Sequence, residues 1–433
     1  MPLSAYYRRL LDSRLIRLFG LGFIIFGLGK ILQISFFILA ARRLSQADFG
    51  LFSLVISVSQ ISAVCLAIGI PNAGMRLVST FEGRKHWPLL KGYIKFAFLW
   101  CAALALIIAA LVLSSRAFLT QNKHITFATL LALTLPAVLW GISRAGIMRG
   151  FNSMVGALVP REIVVPVITM ALILISGSDN VLTVGLFYVG ALCAAEAGGL
   201  LALRRRIPKV LSSTTPEFAI RDWLSVSLPI QASSIARIIL QRSDLIFVGA
   251  FAGLKEVAIY AIAQRLAQAV QIVSRVSNNA ISPILARSYH SEDPQKVLKV
   301  IRSAMIITAT CCIAIAAVLI LAAPYVINIF GDNYAGAVPI LIILALGQLT
   351  NAIFSPILQA LNMTDLERVQ LSIVAITAVA ALIFLPIAAS QYGALGAAIV
   401  TALSLLFLNL ASYVIGYPKL KQRIAQKMKS GDV

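Results

Sequence analysis

The sequence predicts an all-α integral membrane protein of about twelve transmembrane helices, arranged as two six-helix bundles related by a pseudo-two-fold axis along the membrane normal. Three observations predict it. The 433 residues are 60% hydrophobic and only 12% charged, with a mean hydropathy of +0.92, whereas soluble domains carry about 45–50% apolar and about 25% charged residues. Apolar runs of about 20 residues, the length that crosses a bilayer as a helix, recur along the whole chain. One long polar interval, residues 204–222, divides those runs into six and six.

In order, the runs lie at 17–40, 49–72, 95–114, 125–147, 158–176, 181–203, 223–251, 257–280, 301–323, 335–360, 369–389 and 393–416. Outer-membrane strand alternation is absent, which leaves helices. Pro136, Pro160, Pro166, Pro229, Pro339, Pro356 and Pro386 bend helices or mark their ends, as neighbouring spans allow. Residues 1–203 make an N-terminal lobe, 204–222 a hinge-like linker, and 223–433 a C-terminal lobe with a basic tail. Six spans is an even number, so both halves enter from the same side and any repeat is parallel. Asp48-Phe49-Gly50-Leu51-Phe52 and Glu256-Val257-Ala258-Ile259-Tyr260 open the second span of each half with the same order of residue types.

The net charge of +21 raises nucleic acid as a partner, but no basic face on a soluble fold is present to bind one. Lys and Arg instead follow loop sidedness: 27 of the 37 fall in alternate segments starting with the N-terminus, five in the opposite loops and five in spans. That bias places both termini in the cytoplasm. The N-terminal apolar run is too long for a secretory signal. Cys65, Cys101, Cys193, Cys311 and Cys312 have neither zinc nor disulfide spacing and read as small apolar packing residues. His86, His124 and His290 are isolated, and no phosphate-cradling loop or hydrolase motif occurs. Outer loops are too short to shape an external enzyme site, the lack of a nucleotide-binding motif argues against an ATP-driven pump, and no metal or organic cofactor is expected.

Chemistry is concentrated in polar stripes within spans. In the seventh, Arg237, Gln241 and Asp244 share one face while Arg242 points away. In the eighth, Gln264, Gln268, Gln271 and Arg275 recur at i, i+4, i+7 and i+11; in the tenth, Gln348, Asn351, Ser355 and Gln359 recur at i, i+3, i+7 and i+11. Ser53, Ser57 and Gln60 form a shorter stripe, and Lys30 and Gln33 add to the first span. Such amides can be interhelical glue, each adding about 0.6–2 kcal/mol. They can also line a water-filled path, where amides and guanidinium forks suit sugar hydroxyls and phosphate oxygens. Ionisable groups at membrane depth are expected to face such a cavity. Spans hold Lys30, Arg237, Arg242, Arg265 and Arg275 against Glu196 and Asp244, a net of +3 that favours an anionic ligand. Arg237 and Asp244 can alternatively neutralise one another through Gln241, and Glu196, close to Arg204, reads as a snorkelling or packing residue.

Several phrases together resemble a known family: Arg42-Arg43-Leu44-Ser45 before Phe49-Gly50-Leu51-Phe52; Arg242-Ser243-Asp244 with Gly249 and Tyr260-Ala261; Phe330-Gly331-Asp332-Asn333-Tyr334-Ala335-Gly336-Ala337 before Leu341; and Gly393-Ala394-Leu395-Gly396-Ala397-Ala398. In this order and at span boundaries they resemble the polysaccharide-repeat flippases of Wzx type, in the multidrug, oligosaccharidyl-lipid and polysaccharide exporter superfamily. The resemblance implies alternating access by two bundles that move undecaprenyl-diphosphate-linked oligosaccharide across the bacterial inner membrane. It implies lipopolysaccharide O-antigen, capsule or exopolysaccharide biosynthesis as the setting. Membrane lipids, a polysaccharide polymerase and chain-length proteins are the implied partners.

By motif, the resemblance carries Arg242 and Asp244; Lys30, Arg237, Gln241, Gln264, Gln268, Gln271, Arg275, Gln348 and Asn351 join them as substrate-facing candidates through helical spacing. Asp244 is the candidate for H+ or Na+ coupling. A cation-coupled exporter of small molecules and a non-transporting scaffold of envelope assembly are the competing readings.

Overall fold

The computed structural model describes residues 13–115, 122–275, 277–278, 281, 285, 295–363 and 366–430. Arg8, Arg9, Arg116, Arg287 and His290, which the sequence places in loops or the N-terminus, lie outside the described residues. The chain forms two compact units, Met1–Ile235 and Ala236–Val433.

The first unit contains α1 (Ser13–Arg43), α2 (Gln46–Leu66), α3 (Ile70–Gly83), α4 (Trp87–Ser115) and α5 (Asn122–Gly150). It continues with α6 (Met154–Val159), a π turn (Pro160–Val164), α7 (Val165–Ser176), α8 (Val181–Arg206), the short α9 (Val210–Ser213) and the start of α10 (Ile220–Phe251). Pro160 and Pro166 lack the N–H groups that would keep α6 and α7 in one regular helix, and the π turn absorbs the mismatch.

The second span ends at Leu66, six residues before its predicted end. The physical reason is a turn at Ile68 (φ 42°) and Gly69 (φ 79°). A Cβ at Gly69 would sit 2.3 Å from Ser227 O, so only glycine admits this close approach. The carbonyls freed at the end of α2 are not left bare in an apolar setting. Gln231 Nε2 donates to Val64 O (2.5 Å) and Trp100 Nε1 to Leu66 O (2.9 Å); at the first residue of α3, Tyr93 OH donates to Ile70 O (3.0 Å). Helix α3 then lies on α5 through small residues. A Cβ at Gly146 would fall 2.1 Å from Pro71 O, and one at Gly150 would fall 2.6 Å from Val78 Cβ, the spacing that lets helices in lipid approach closely.

The 204–222 interval is packed rather than loose. Lys91 Nζ donates to Thr214 O (2.7 Å), Glu217 N donates to Pro88 O (3.0 Å), and Leu211 is buried in the same cluster as Leu90, Tyr93 and Trp223. These contacts explain why the first compact unit extends to Ile235, past the boundary that polarity alone suggests.

The second unit holds the rest of α10, then α11 (Leu254–Ala267), a 3-10 turn (Gln268–Gln271), α12 (Gln295–Leu321), α13 (Ala323–Asn328) and α14 (Ala337–Met363). It ends with α15 (Glu367–Ala411), a π turn (Ser412–Gly416) and α16 (Tyr417–Ser430). Among the described residues ten helices are long and apolar enough to cross a membrane, and α10, bent by 42° between Leu228 and Ile230, makes an eleventh. The twelfth is hidden in α15. Its 45 residues would run about 68 Å as one helix, more than twice the roughly 30 Å of hydrocarbon. Gly393 (φ 58°, ψ −142°) breaks it in a conformation reserved for glycine. Glu256 Oε2 accepts from Ala394 N (3.3 Å), so a carboxylate stands at the new helix start.

The basic tail is a helix with an apolar stripe: Leu420 and Ile424 are buried against Ile301, Ile357 and Leu361, while Lys419, Lys421 and Arg423 stay exposed.

Candidate functional site

The second unit holds an open-mouthed cavity of about 110 Å3. Ten of the eleven candidate residues line it: Arg237, Gln241, Arg242 and Asp244 from α10, Gln264, Gln268, Gln271 and Arg275 from α11 and its continuation, and Gln348 and Asn351 from α14. From Gln264 to Arg275 the polar lining extends for about 16 Å of helical rise. The 3-10 turn at Gln268–Gln271 interrupts the regular helix expected there, a tightening that often marks a functional segment.

Asp244 anchors one end. It is 2% exposed, and its Oδ2 accepts from Tyr260 OH (2.7 Å), Gln264 Nε2 (2.7 Å) and Thr401 Oγ1 (3.5 Å), while Oδ1 accepts from Leu245 N (2.8 Å). Gln264 spends its other amide atom on Arg242, whose Nη1 donates to Oε1 at 3.5 Å. One amide therefore bridges a guanidinium and a carboxylate. Arg242, expected to point away from the polar face, reaches the cavity with its long side chain.

Further along, Gln271 Nε2 donates to Gln348 Oε1 and Arg275 Nη2 to Gln271 Oε1 (3.5 Å), so the amide ladder is cross-linked between α11 and α14. Asn351 Oδ1 accepts from Asn409 Nδ2 (3.5 Å). Arg237 is exposed to the cavity and makes no hydrogen bond or ion pair with the described residues. Mutual neutralisation of Arg237 and Asp244 is not what the side chains do, because the Asp244 oxygens are already occupied. The lining thus holds three guanidiniums and one carboxylate, a net of +2.

Lys30 does not line this cavity. It lies in the first unit, where its Nζ donates to Gln33 Oε1 (2.8 Å) and sits 5.6 Å from the Phe26 ring centre; Gln33 Nε2 in turn donates to Glu162 Oε2 (2.8 Å). Glu162 falls inside the fifth predicted span together with Arg161, so the in-span charge balance omitted one acid and one base there. Arg265 also lies outside the cavity lining.

Arg144 and Glu196 require a second correction. Of the two readings of Glu196, packing holds and snorkelling does not: it accepts from Arg144 Nε (2.5 Å) and Nη2 (3.3 Å), and Arg144 Nη1 donates to Gly156 O (2.7 Å). Arg144 has no exposed surface, although its sequence position suggests a cytoplasmic loop. Gly141 and Gly199 make room for the pair: a Cβ at either would fall within 2.7 Å of its charged groups. A buried carboxylate demands such a partner, and that demand was the signal available in the sequence. Tyr260, Thr401 and Gln370 join the site without having been singled out for it; Tyr260 and Thr401 are isolated polar groups in apolar runs, and Gln370 follows the charged pair Glu367-Arg368 at the start of its helix.

A family model described as polysaccharide biosynthesis protein matches residues 20–289, well over half of the chain. The chain belongs to the polysaccharide biosynthesis protein family. A second model, MatE, matches residues 229–389 and so covers most of the cavity-forming helices. Among solved structures, this polysaccharide biosynthesis protein is similar to an inward-facing multidrug resistance MATE family transporter of the MOP superfamily (TM-score 0.70, 16% identity, 94% of this chain and 96% of that one). It is also similar to the lipid II flippase MurJ in an inward closed conformation (TM-score 0.72, 17% identity, 94% and 90% covered). An outward-facing MATE family transporter aligns with a TM-score of 0.62 at 15% identity, covering 93% and 96%. These likenesses show the fold, a multi-pass helical membrane fold that the chain shares with these proteins. A search of curated protein sequences finds no match.

Proposed function

We propose that this chain flips undecaprenyl-diphosphate-linked oligosaccharide repeat units across the bacterial inner membrane, with both termini in the cytoplasm, for assembly of a surface polysaccharide. The observation that carries the reading is the cationic cavity of the second unit, with Arg237 open to it and an amide ladder along its wall. Moving a diphosphate and a hydrated glycan past about 30 Å of hydrocarbon requires a surface that replaces the lost water. Guanidinium forks do this for phosphate oxygens, and amides do it for hydroxyls. The undecaprenyl tail stays in lipid. A polymerase and chain-length proteins would receive the product.

An ion gradient supplies the release step in this reading, through H+ or Na+ acting at Asp244, whose charge Arg242 senses through Gln264. Arg237→Ala with Arg275→Ala is expected to abolish complementation of a flippase-deficient strain at normal membrane abundance. Full complementation would remove the cavity from the mechanism.

The MatE match over residues 229–389 favours a second reading, a cation-coupled exporter of small molecules. An exporter of organic cations needs unpaired carboxylates, and the single carboxylate here is saturated by four donors. Resistance to lipophilic cations conferred by expression would support the exporter.

A further inference from the structure

One group in the cavity wall is out of balance. Gln370, in the first turns of α15, is 2% exposed, yet among the described residues neither Nε2 nor Oε1 has a hydrogen-bond partner. A buried amide in that condition is destabilising unless something outside the chain completes it. Its neighbours along the wall are aliphatic: Leu240, Leu358, Val374 and Leu408 line the same cavity. The patch therefore combines aliphatic side chains with the one donor and one acceptor group of an amide.

That combination selects a chemistry. Phosphate oxygens only accept, so a diphosphate would satisfy Nε2 and leave Oε1 facing a like partner. Two adjacent hydroxyls on a pyranose ring can each donate and accept, matching both amide atoms at once, while the ring's C–H face covers the aliphatic side chains. The anion is left to Arg237, in the same cavity.

We propose that Gln370 marks a sugar subsite, in which its amide binds a vicinal pair of ring hydroxyls and discriminates glycan-bearing from bare lipid diphosphate. The proposal rests on the reading of the cavity as the path of a lipid-linked glycan.

The test uses the full chain in nanodiscs with two probes, undecaprenyl diphosphate and undecaprenyl diphosphate carrying one N-acetylglucosamine. The wild type is expected to bind the sugar-bearing probe at least about fivefold more tightly, as expected for about one added neutral hydrogen bond. Gln370→Met should erase that preference, leave affinity for the bare diphosphate unchanged, and leave the ligand-free melting temperature equal or higher. Gln370→Leu provides the same comparison with a different apolar side chain. The proposal is overturned if the wild type shows no preference, if either variant keeps it or weakens both probes alike, or if the ligand-free protein melts several degrees lower. Failure of the wild type to bind either probe would instead defeat the flippase reading itself.

Discussion

Glu196→Ala isolates the buried ion pair of the first unit. Glu196 gives Arg144 two acceptor contacts, at 2.5 and 3.3 Å, and the Arg144 side chain is about 1% exposed. Truncation leaves the guanidinium with Gly156 O as its remaining bond and with no counter-charge. Removing one partner of a buried pair costs about 3–5 kcal/mol, which is about two to three and a half decades in the unfolding equilibrium. Equilibrium unfolding of the purified protein in mixed micelles of dodecyl maltoside and sodium dodecyl sulfate measures it. The double variant Arg144→Met with Glu196→Leu removes both charges and fills the volume, so it should recover most of the loss. A single variant that costs less than about 1 kcal/mol, the range of exposed pairs, would refute the reasoning. So would a double variant as unstable as the sum of the singles.

Three further outcomes follow from the same contacts. Gly146→Ala places a Cβ 2.1 Å from Pro71 O, so α3 must lift from α5; the overpacking should cost about 1–3 kcal/mol in the same unfolding assay. Gly393→Val forces a β-branched residue into φ 58°, a strain of about 1–3 kcal/mol, and should lower the melting temperature in detergent. Asp244→Asn removes the charge that three side-chain donors and one amide converge on. Flipping in proteoliposomes should then lose its response to imposed pH or Na+ gradients, and an unchanged response removes Asp244 from coupling.

Legibility in the sequence followed the physics of each feature. The spans were legible because hydrocarbon thickness fixes their length, and the break at Gly393 falls at the first residue of the twelfth run. The amide ladder was legible because Gln264, Gln268, Gln271 and Arg275 keep helical spacing, and the 3-10 turn shifts them without taking any off the cavity wall.

Features that depend on partners distant in sequence were not legible. Arg144 is 52 residues from Glu196, and no local pattern pairs the two. The early end of α2 depends on Ser227 and Gln231, more than 150 residues away. Gln370 carries no periodic signal at all; only the absence of a partner in three dimensions sets it apart.

Reconstitution tests the central claim most directly. Proteoliposomes loaded with a fluorescent undecaprenyl-diphosphate-linked oligosaccharide report movement between leaflets through quenching by an impermeant reductant. Arg237 and Arg275 each offer the diphosphate charge-assisted hydrogen bonds worth about 1.5–3 kcal/mol, so replacing both with Ala should slow movement at least tenfold while the protein remains folded. Equal rates for the wild type and the double variant would contradict the account.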